Sequence, residues 1–75
     1  MPNLRRVSGQ ETIRALERLG FIQIRQRGSH VILKKQTSEG EIGCVVPLHR
    51  EIALGTLRGI LKQARVSIED FMQVL

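Results

Sequence analysis

Aromatic residues are nearly missing from this chain. Phe21 and Phe71 are the only two, and there is no Trp or Tyr. A sheet that binds unpaired bases by stacking needs a row of exposed rings, which this chain does not have. Cysteine is just as scarce. Cys44 stands alone, which excludes an internal disulfide and favours a reducing cytoplasm over secretion. No stretch approaches the run of about 20 apolar residues that spans a bilayer. The opening "MPNLRRVSGQ" lacks the apolar core of a signal peptide, so a cytoplasmic protein without membrane attachment is expected. Acidic residues are also few. Seven Asp and Glu stand against twelve Lys and Arg, a net charge of +5.

Nine of the twelve cations are arginine, the side chain suited to bidentate phosphate contact. A small basic domain points to an anionic partner, nucleic acid first. The same charge would also serve only to keep the protein soluble. With so few rings, RNA would have to be held through phosphates and shape. The 75 residues suffice for one small domain, residues 1–75, with one compact core.

The element order reads α-β-β-β-α with a short extra C-terminal helix. Ser8 and Glu11 form a capping box. Ile13, Leu16 and Leu19 follow at helical spacing, and Gly20 supplies a stop, so a helix is expected from about Gly9 to Leu19. "FIQIRQR" alternates as a strand, Gly28 and Ser29 turn, and "HVILKK" is a second strand. "TSEG" is a polar turn, and "EIGCVV" a third strand that Pro47 ends. "LHREIALGT" reads as a loop or irregular turn. Leu57, Ile60, Leu61 and Ala64 then return to helical spacing. Ser67 and Asp70 repeat the capping pattern, with Val66 and Phe71 as a hydrophobic staple. The fold class is α+β: a three-stranded antiparallel sheet with helices on one face and the other face open.

Strand alternation divides the hairpin. Ile22, Ile24, Val31 and Leu33 are expected to face the helices. Gln23, Arg25, Arg27, His30, Ile32 and Lys34 then share the open face. No acid occurs between Gln23 and Gln36, so the field there is positive and favours a phosphate. An imidazole is the side chain suited to proton transfer near neutral pH. Gly28 permits positive φ and a close approach of a ligand to the turn. Each of these residues also has an ordinary role in a solvated hairpin. His30, Cys44 and His49 lack a zinc spacing, and Glu39 and Glu41 flank a turn glycine as solvated residues, so no metal or other cofactor is expected.

The run "SGQETIRALERLGFIQIRQRGSHVILKK", then "VVPLH", then "GTLRGILKQARVSIEDF", resembles the HicA toxin family, also called YcfA-like. The likeness extends from about Val7 to Phe71. It implies a small mRNA-cleaving toxin with a double-stranded-RNA-binding-like fold, the toxin of a type II toxin–antitoxin system. It also implies a HicB-type antitoxin that binds the toxin and blocks it. The family's catalytic histidine lies in a Gly-x-His motif, which carries over to His30 with Gly28 as the motif glycine. His49 falls where many members have a histidine, and the resemblance gives it no role.

The expected activity is therefore a metal-independent endoribonuclease acting on mRNA. The substrate's 2′-OH is the nucleophile and His30 is the acid–base group. Arg25, Arg27 and Lys34 hold the phosphate, beside Gly28 and Ser29. One histidine cannot easily act as both base and acid in one step. His49 is a candidate for the second group, and Ser29 a weaker one. Two alternatives stay open: a non-catalytic RNA-binding module of the same fold, and a protein-docking domain whose apolar contact on the open face is Ile32.

Overall fold

The computed structural model describes residues 3–75. The first two residues of the stretch read above for a leader lie outside that range. Helix α1 spans Gly9–Arg18, strands β1, β2 and β3 span Ile22–Arg27, His30–Thr37 and Gly40–Pro47, and helices α2 and α3 span Leu54–Ala64 and Ile68–Gln73. The strands form one antiparallel sheet in the order β1-β2-β3. The expected α+β architecture is thus present. No helix among the described residues is long and apolar enough to cross a membrane.

Local chemistry sets the helix ends. The Ser8 hydroxyl accepts from the Glu11 N–H at 3.0 Å, and the Glu11 carboxylate accepts from the Ser8 N–H at 3.0 Å. Both orphan donors are thereby satisfied. These bonds hold the Glu11 carboxyl below its usual value of 4.5. The cap's contribution is therefore fully present above that pH and fades as the pH falls through the lower folded value. Ser67 caps α3 in the same way, accepting from the Asp70 N–H at 3.0 Å. α2 begins without a side-chain cap and ends on Arg65, a non-glycine residue in the left-handed region at φ 55°.

The core is one cluster. Leu16, Leu33, Val46, Ile52, Leu57 and Phe71 are its fully buried centre. Val31 and Leu33 face the helices as expected. Ile22 and Ile24 do not: they are 65% and 56% exposed. Two causes act together. α1 and α2 pack principally on β3, which leaves the edge strand β1 beyond their cover. A register shift between Gln23 and Arg25 also makes Ile24 the extra residue of a bulge. Ile22 consequently pairs with Lys34 and joins the open face, whereas Gln23 pairs with Leu33. The Gln23 amide donates to the Glu17 carboxylate of α1 at 3.3 Å, so it lies on the helix side and not on the open face.

A close backbone approach ties the start of α1 to the end of β3. A Cβ on Gly9 would stand 2.2 Å from the Pro47 carbonyl oxygen and 2.9 Å from the Leu48 Cα. Only glycine fits there. The Gly9 N–H then donates to the His49 carbonyl at 2.9 Å. Gly9→Ala is expected to lower unfolding stability by about 2 kcal/mol or more, because backbone on both sides must move. A denaturant midpoint equal to that of the wild type would contradict this packing.

Candidate functional site

The hairpin between β1 and β2 has a two-residue turn. Arg27 pairs with His30, and Gly28 and Ser29 lie between them. Gly28 has φ +56° while Ser29 has no positive φ, which matches the first position of a type II′ hairpin turn. Nothing lies within 4 Å of where a Gly28 side chain would begin. The glycine is therefore required by its φ, and the space above it is open. The Gln26 amide donates to the Gly28 carbonyl at 2.9 Å and braces the turn. This residue was missed from sequence, where a strand glutamine carries no such signal.

The other side of the turn is fixed by β3. His30 pairs with Pro47, and the ladder continues one bond further, where the Leu48 N–H donates to the Ser29 carbonyl at 2.7 Å. Three remote segments thus meet: the Gly28–His30 turn, the Pro47–His49 exit and the start of α1. Both histidines are exposed. Neither imidazole makes a hydrogen bond or ion pair among the described residues.

The register distributes the expected residues as follows. Arg25 pairs with Ile32, and Ile32 with Val45. Arg27 pairs with His30. Arg25, Arg27, His30, Ile32 and Lys34 therefore share the open face, as expected, and Gly28 and Ser29 close one end of it. Arg25 and Arg27 are exposed and make no ion pair among the described residues. Lys34 differs. Its ammonium lies 3.1 Å from the Glu41 carboxylate, which also accepts from Gln36. The absence of acids within the hairpin did not reveal this, because the acid arrives from β3. The positive field is consequently strongest at the turn and weaker toward Lys34. Exposed apolar side chains complete the face, Ile22 with Lys34 and Val45 beside Ile32, and the unpaired bulge residue Ile24 is exposed as well.

Other reactive groups are engaged elsewhere. Cys44 is buried against Leu33's strand, and burial pushes its thiol up to about 11. Glu51 pairs with Arg6 at 3.5 Å. Among the described residues, no three His, Cys, Asp or Glu side chains converge as a metal site requires. A buried thiol held neutral is a poor nucleophile. Cys44 is expected to react with a thiol reagent at pH 8 far more slowly in the native protein than in denaturant. Equal rates would contradict its burial.

The model of the family described as HicA toxin of bacterial toxin–antitoxin systems matches residues 9–66, well over half of the chain. A comparison with curated proteins gives no match. The chain belongs to the HicA toxin family.

Proposed function

We propose that this toxin of a toxin–antitoxin system is an endoribonuclease that cuts mRNA without a metal ion, with His30 as its catalytic group. The observation that carries the reading is the setting of His30 in a chain of this family. It is exposed, it opens β2 beside the Gly28–Ser29 turn, and it lies directly across from Arg27. In this reading Arg25 and Arg27 hold the phosphate and offset charge that develops on its oxygens. Lys34 lies on the same face and assists less, since its ammonium is shared with Glu41. The open space at Gly28 leaves room for the RNA backbone, with Ser29 beside it.

The nucleophile is the substrate's own 2′-OH, so the enzyme supplies proton transfer and charge compensation and needs no cofactor. Proton transfer by a placed imidazole is suited to neutral pH. The residues 1–75 act as a single domain, in the cytoplasm where mRNA is found. The partner is a HicB-type antitoxin lying over the open face. Exposed Ile22, Ile24 and Val45 offer it apolar contact, and Arg25 and Arg27 offer charge to an acidic surface.

His30→Ala is expected to slow cleavage of a long RNA in EDTA by about 10²–10⁴, while RNA affinity and fold are retained. Cleavage by the variant at the wild-type rate would contradict the assignment. Salt-sensitive RNA binding with no cutting by the wild type would instead indicate a binding module.

A further inference from the structure

We propose that His49 is the second proton-transfer group of the cleavage reaction, acting with His30 on the two sides of one phosphodiester. The inference rests on the ribonuclease reading and completes its chemistry. Attack by the 2′-oxygen forms a bond to phosphorus as the 2′-OH loses its proton to a base. The bond from phosphorus to the 5′-oxygen breaks, and that oxygen takes a proton from an acid. The products are a 2′,3′-cyclic phosphate and a 5′-hydroxyl. Two proton transfers at opposite ends of the reacting atoms require two groups, and His30 provides one.

The thiol, carboxyl and imidazole side chains that remain narrow the choice. Cys44 is buried and its thiol is pushed up to about 11. Glu11 is committed to the Ser8 cap, Glu17 to the Gln23 amide, Glu41 to Lys34 and Glu51 to Arg6. Glu39 lies in the β2–β3 turn at the far end of the sheet, and Glu69 and Asp70 lie on α3. His49 is the only other histidine in the chain.

The register brings it to the site. His30 pairs with Pro47, and Leu48 bonds to Ser29. His49 follows directly, one residue past the Leu48–Ser29 bond. Beside Ser29, Gly28 leaves open space, with nothing within 4 Å of the position a Cβ would take. The backbone of His49 is pinned by the Gly9 N–H at 2.9 Å. The imidazole is exposed and makes no hydrogen bond or ion pair among the described residues. A pinned backbone carrying an unengaged imidazole, one residue past the bond that ties Leu48 to the His30 turn, is what a second proton-transfer group needs.

The test uses the full chain and two short RNAs in EDTA. One has an ordinary 5′-oxygen leaving group. The other carries a 5′-bridging sulfur, which leaves as a thiolate without protonation because a thiol is far more acidic than an alcohol. His49→Ala and His49→Gln are each expected to lose about 10²–10⁴ on ordinary RNA and to remain folded by circular dichroism. The bell-shaped pH profile of the wild type should lose one limb in the His49 variants and the other in His30→Ala. The sulfur substrate should restore one of the two sites and not the other. His49 variants that cut ordinary RNA at the wild-type rate overturn the inference while leaving the ribonuclease reading intact. Losses that keep both limbs and are equal on the two substrates also overturn it, since they mark a structural role. A wild type that cuts neither RNA removes the ribonuclease reading and this inference with it.

Discussion

One backbone junction organises the molecule. The Gly9 backbone lies against Pro47 and Leu48 at a distance only glycine allows, and its N–H bonds to the His49 carbonyl. Leu48 in turn bonds to the Ser29 carbonyl at 2.7 Å. The start of α1, the end of β3 and the β1–β2 turn are therefore held as one unit. Each of these backbone groups would otherwise need water or another partner. The consequence for function is positional. A two-residue turn at the edge of a small sheet would normally be mobile, and here it is braced from two sides, by Leu48 and by the Gln26 amide.

The edge strand explains the character of the candidate site. α1 and α2 cover β3, and β1 projects beyond them, so every residue of β1 is exposed. Arginines and isoleucines are presented side by side on the strand. The arginines suit a phosphate backbone. The isoleucines, at 65% and 56% exposure, are more apolar surface than an unpartnered edge strand ordinarily shows. A face that carries both suits a toxin that meets an RNA and a protein inhibitor at the same place, which is the reading proposed above.

Much of the fold was legible because its signals are local. Ser8 with Glu11, and Ser67 with Asp70, are contacts between residues three apart, and both caps are present. The order of the strands followed from short turns at Gly28 and Gly40. What escaped were effects that depend on tertiary pairing. Alternation alone put Ile22 and Ile24 inside and Gln23 outside. The bulge at Ile24 reverses the phase before it, and no residue type at that position announces an extra residue. Glu41 reaches Lys34 only once the β2–β3 register is known. His49 was a candidate on sequence, but its nearness to the turn was not legible there. In the sequence it is nineteen positions from His30, and only the continuation of the ladder through Leu48 and Ser29 brings the two segments together.

The central claim is that the RNA supplies its own nucleophile and the protein supplies only proton transfer and charge. The chemistry of the cut ends tests it most directly. Products of a defined RNA, cleaved by the purified protein in EDTA, would be resolved by mass spectrometry. The account predicts a 2′,3′-cyclic phosphate, or the monophosphate it hydrolyses to, on one fragment and a 5′-hydroxyl on the other. Fragments ending in a 5′-phosphate and a 3′-hydroxyl, formed only when magnesium is restored, would contradict it.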